Sequence, residues 1–142
     1  MGNTRRSLLM SLVALGTLMP TTALAEPPKR PTAATEVWVR TELYFGTMKP
    51  DNQQVTEAEF AAFVEKEVTE RFPDGLTLLT GYGQFRNSAG AIIREKSFVL
   101  ILFYPPQQQD ANKKVQEIRD SYKTSFQQES VLRVDSFSVV SF

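Results

Sequence analysis

Residues 97–104 read Ser-Phe-Val-Leu-Ile-Leu-Phe-Tyr, a run that is apolar after its first residue and shows no alternation. Eight residues cannot cross a bilayer, where a helix needs roughly twenty. A short apolar run closed by Pro105-Pro106 instead predicts a strand at the centre of a sheet, covered on both faces. Whatever surrounds this strand must supply that cover.

The flanking segments suit the task. From Val37 onward Val39, Thr41, Leu43 and Phe45 alternate with Trp38, Arg40, Glu42 and Tyr44, the period of a first strand. Thr56-Glu57-Ala58-Glu59 has the form of a capping box, and Phe60, Phe63, Val64 and Val68 follow at helical spacing until Pro73-Asp74-Gly75. A second strand is predicted over 76–86, and Asn87-Ser88-Ala89-Gly90 turns it into the third, over 91–104. Val115, Ile118, Tyr122 and Phe126 then mark one face of a helix starting near Asp110, and 131–142 closes the chain as a fourth strand. The order βαββαβ is that of a ferredoxin-like α+β fold: a four-stranded antiparallel sheet, order 4-1-3-2, with two helices on one face.

The first 25 residues carry Arg5-Arg6, an apolar stretch from Leu8 to Met19, and Ala23-Leu24-Ala25 before Glu26. This is the three-part form of a signal peptide, so export to the periplasm or beyond is expected, without a stable membrane anchor after cleavage. The general secretory route fits better than the twin-arginine one, since paired arginines are common in ordinary signals. Residues 26–35, with Pro27, Pro28 and Pro31, read as a flexible leader, and 36–142 as the single domain. Removing 25 of 142 residues leaves 117, with 14 basic side chains against 16 acidic ones. That balance gives no general attraction to nucleic acid.

Gly81-Tyr82-Gly83-Gln84-Phe85 and Leu43-Tyr44-Phe45-Gly46 approach the aromatic signatures of RNA-recognition motifs. The first falls on the second strand, at the sheet edge, whereas RNA readers carry it on the third. With the acidic balance added, nucleic acid is excluded as a partner. Gly81 and Gly83 are expected to make room for a bulky neighbour or to mark a bulge.

Five phrases in order, RTELYFG (40–46), TEAEFAAFV (56–64), RFPDGLT (71–77), GYGQF (81–85) and ESVLRVDS (129–136), resemble the exported bacterial family known as domain of unknown function 3574. The resemblance covers nearly the whole of the chain expected after cleavage. It implies no activity, ligand or catalytic residue.

The chain has no histidine and no cysteine, which removes Ser-His-Asp and Cys-His catalysis, ordinary zinc sites and histidine-ligated haem. No phosphate-binding or dinucleotide fingerprint occurs, so no cofactor and no metal are expected. If Asn87 and Gly90 pair across the hairpin, Tyr82 faces Glu95 and Thr80 faces Ser97. Arg40, Glu42, Tyr44, Tyr82, Glu95 and Arg133, joined by Asp135, would then share the sheet face without helices, while Val39, Leu43, Phe98, Leu100, Val134 and Val140 point to the helices. Such a patch reads as a solvated face, as a site for a small molecule or peptide, or as the contact of a homodimer. A non-catalytic binding or interaction domain is the favoured class. The alternative is a small cofactor-independent enzyme with Glu42 and Glu95 as acid and base, which requires their pKa values to be driven apart.

Overall fold

The computed structural model describes residues 34–86 and 89–142, so the expected signal peptide, nearly all of the leader and the turn residues Asn87 and Ser88 lie outside the described residues. Strand β1 spans Glu36–Gly46, β2 Thr77–Arg86, β3 Ile92–Tyr104 and β4 Leu132–Val140, and all neighbours pair antiparallel in the order β2-β3-β1-β4. This is the ferredoxin-like arrangement that the alternation of periods predicts.

Helix α1, Glu57–Phe63, opens on the capping box: the Thr56 hydroxyl accepts from the Glu59 amide, and the Glu59 carboxylate accepts from the Thr56 amide. It continues as a π-helical segment over Val64–Thr69. Helix α2, Ala111–Phe126, ends at Gln127, whose left-handed backbone (φ 54°) turns the chain toward β4. Both helices pack on one face, where Leu43, Phe45, Leu100, Leu102, Val115, Ile118 and Tyr122 are shut from solvent. Phe60 stacks on Phe98 at 4.1 Å between centroids, and Tyr122 meets Phe45 edge-on at 4.5 Å. With no disulfide available, this aromatic and aliphatic layer holds the domain.

Three sequence expectations are corrected by the pairing. First, Arg86 lies opposite Ile92, so five residues, 87–91, form the connection, and every pair is shifted by one: Tyr82 sits opposite Lys96 and Thr80 opposite Phe98. A shift of one residue turns each side chain to the other face of the sheet. Tyr82 is therefore on the helix side, while Glu95, opposite Gly83, remains on the open side. Second, Arg133 lies beside Leu43 and Asp135 beside Thr41, which places both on the helix side and sends Val134 and Val140 to the open face. Third, the ladder along β2 is continuous, and an added Cβ at Gly83 would meet nothing within 4 Å. The glycines mark neither a bulge nor a crowded neighbour.

The central strand also departs from expectation. Phe98, Leu100, Leu102 and Tyr104 are buried beneath the helices, but on the other face of β3 only Ile101 is buried and Phe103 is 39 % exposed. One face of the apolar run has its cover within the chain, and the other does not.

Candidate functional site

The open face carries two polar clusters at different heights along the strands. On β1, Arg40 pairs with Glu42 at 2.8 Å, and the Tyr44 hydroxyl donates to the same carboxylate. The guanidinium also lies over the ring of Phe103, 5.8 Å from its centroid. Donation to Glu42 raises the Tyr44 pKa above the ordinary phenol range, with desolvation and the carboxylate charge adding to it. Tyr44 is thus held as a neutral phenol.

The second cluster centres on Glu95. Its Oε2 accepts the backbone amides of Thr47 at 3.0 Å and Met48 at 2.9 Å. These donors are themselves fixed. Thr47 is fully buried, its hydroxyl donates to the Lys96 carbonyl at 2.6 Å, and its carbonyl accepts from the Val55 amide at 2.8 Å. The other oxygen, Oε1, has no hydrogen-bond partner among the described residues. Gly46 allows this packing, since a Cβ there would stand 3.3 Å from both Glu95 Oε1 and Gln128 Oε1. Gln128 in turn donates to the Met48 carbonyl at 2.9 Å and ties the α2–β4 connection to the same corner.

Around Glu95 lies a concave cleft of about 890 Å³, lined among others by Tyr44, Met48, Phe85, Ile93 and Leu132. Its size falls within the roughly 300–1,000 Å³ of small-molecule sites. Gly83, directly across from Glu95, adds no side chain, so the sheet beside the carboxylate is bare. The stretch GYGQF thereby divides between faces: Gly81, Gly83 and Phe85 point to the open side, and Tyr82 and Gln84 to the other.

Of the six residues expected to share the open face, Arg40, Glu42, Tyr44 and Glu95 do so, and Tyr82 and Arg133 do not. Arg133 serves a different network. It bonds Asp135 at 2.9 Å and the Asn112 side chain at 2.8 Å, while Asp135 accepts from the buried Thr41 hydroxyl at 2.6 Å. Tyr82, 87 % exposed, lines none of these clusters. Glu42 lies opposite Ile101, six residues along β3 from Glu95, which at about 3.3 Å per residue separates the two by roughly 20 Å. An acid and base pair made of these two carboxylates is therefore not assembled. Sequence reading missed Met48, Phe85, Ile93 and Leu132 as lining residues. Only the glycines flanking the aromatic positions hinted at a close or bare surface.

Among the described residues no group of three or more Asp or Glu side chains is placed to hold a metal ion, and no helix is long and apolar enough to cross a membrane. A family model described as "Protein of unknown function (DUF3574)" matches residues 40–142. No curated protein matches the chain. Among solved structures, a phage SAM lyase in complex with S-methyl-5'-thioadenosine aligns with a TM-score of 0.57 and 15 % identity, covering 74 % of this chain and 90 % of that one. The apo state of a phage SAM lyase aligns with a TM-score of 0.54 and 14 % identity, covering 73 % and 89 %. At such identity the likeness is one of fold.

Proposed function

The chain belongs to the DUF3574 family, whose description assigns no activity, and from its geometry we propose that it is an exported, non-catalytic binding domain that holds a small molecule or peptide in the open-face cleft. The observation that carries this reading is the Glu95 carboxylate, with one oxygen fixed by two backbone amides and the other without a hydrogen-bond partner among the described residues, in a cleft that Tyr44, Phe85, Ile93 and Leu132 line together with Lys49, Arg86 and Glu129. A half-buried carboxylate that is oriented before the ligand arrives saves the cost of ordering it on binding. The fitting ligand donates hydrogen bonds, a cation above all, from the edge of an apolar body that lies on Tyr44, Phe85 and Leu132. Export rests on the signal-like residues 1–25.

Native mass spectrometry of the protein purified from its own host tests both parts. The expected spectrum shows a chain beginning at Glu26 with a retained small ligand, and the ligand is lost in Glu95→Gln but kept in Tyr82→Ala. Retention by both variants would remove the cleft from the account. An intact Met1 would remove export.

A second reading, a cofactor-independent enzyme, is favoured by one observation: phage SAM lyases share the fold, so this scaffold hosts catalysis elsewhere. Against it, the open-face carboxylates stand apart and Tyr44 is held neutral by Glu42. Incubation with SAM decides for this substrate, and release of S-methyl-5'-thioadenosine would favour the enzyme.

A further inference from the structure

We infer that β4 is the seam of a homodimer, in which two copies join edge to edge and antiparallel about a two-fold axis to make one eight-stranded sheet. Strand β4 bonds to β1 on one side and, among the described residues, ends the sheet on the other. Its outward amides and carbonyls call for a strand as occupant. The side chains specify that strand further. Phe137 and Val139 on the helix side are 74 % and 71 % exposed, and Leu132 and Val134 on the open side 59 % and 42 %, with Phe142 just beyond at 89 %. An occupant must therefore bring apolar side chains to both faces at once.

Residues 136–142, Ser-Phe-Ser-Val-Val-Ser-Phe, contain no charged side chain, no proline and no glycine. Such a segment is a strong self-pairing sequence, and it carries none of the lysines, prolines or bulges that keep edge strands apart. The nearest charges, Arg133 and Asp135, are already paired with each other. A second β4 meets every requirement. Directly opposed residues of an antiparallel pair share a face, so a two-fold at Ser138 sets Phe137 of one copy beside Val139 of the other on the helix side. The same axis sets Val134 beside Phe142 on the open side. The opposite edge is a poorer candidate, because Gly81, Gly83, Thr77 and Thr80 interrupt the apolar surface of β2.

Sedimentation velocity on the protein as purified from its host should show a dimer, and Val139→Lys or Phe137→Lys should weaken it at least about ten-fold, because two like charges would then meet near the axis. Leu79→Lys, on the other edge, should leave the dimer unchanged. Hydrogen exchange of the wild-type protein at two concentrations provides a reading that no variant's folding can cloud. The amides within 132–140 that face away from β1 should gain protection as concentration rises, and those within 77–86 should not. A monomer at every concentration, a dimer indifferent to both lysine variants, gain of protection along 77–86 instead, or protection of the β4 amides that face away from β1 in a protein that sediments as a monomer would each overturn the inference. The last of these would mean that the same chain covers its own edge.

Discussion

Glu59 shows how much of the behaviour of a side chain is set by what donates to it. The ammonium of Lys49 at 2.9 Å, then the Thr56 amide and the Thr56 hydroxyl, hold its carboxyl down at about 2, against an ordinary value of 4.5. A carboxylate whose pKa is lower folded than unfolded adds stability above the unfolded value, and that stability disappears as pH falls through the folded one. The capping box should therefore weaken between pH 4.5 and about 2. Glu59→Gln keeps the cap geometry but not the charge. Thermal unfolding followed across that window should show a shallower acid loss for the variant than for the wild type. Parallel curves would mean that Lys49 and Thr56 do not discriminate between the charged and neutral side chain.

At the scale of elements, the two faces of the sheet differ in what completes them. The helix face is finished within the chain, by the contact of Phe60 on Phe98 and of Tyr122 on Phe45. Phe60→Ala should cost about 3–5 kcal/mol in denaturant unfolding, as expected for a large core truncation, and Tyr82→Ala, well exposed on β2, should stay within about 0.5 kcal/mol. Equal losses would show that the assigned burial is wrong. The element order was legible because each segment follows one period: alternation over 37–45, the capping box with its helical repeat, and the unbroken run of 97–104. The faces of β2 and β4 were not. The face of β2 depends on the length of the hairpin connection, and turn residues at 87–90 suit more than one length. In β4 the apolar positions change parity, from Leu132 and Val134 to Phe137 and Val139. A strand lying outside the cover of both helices has no single buried face for its sequence to reveal. The cleft was half legible for the same reason: Tyr44 and Glu95 stand on the two central strands, whereas Phe85 and Leu132 come from the edges.

For the molecule as a whole, an antiparallel sheet finished on one side leaves an apolar and carboxylate-bearing surface on the other, and the proposed binding site lies on that surface, around Glu95. The amides of Thr47 and Met48 report directly on this carboxylate, because both donate to it. Two-dimensional amide NMR with added phenethylamine, set against its neutral analogue 2-phenylethanol, isolates the contribution of a cation beside an apolar ring. The expected result is a saturable shift of the Thr47 and Met48 amides with the amine, much weaker with the alcohol and absent in Glu95→Gln. Shifts of equal size in the Glu95→Gln protein, or no response at these two amides while others move, would contradict the assignment of the open-face cleft as the binding site.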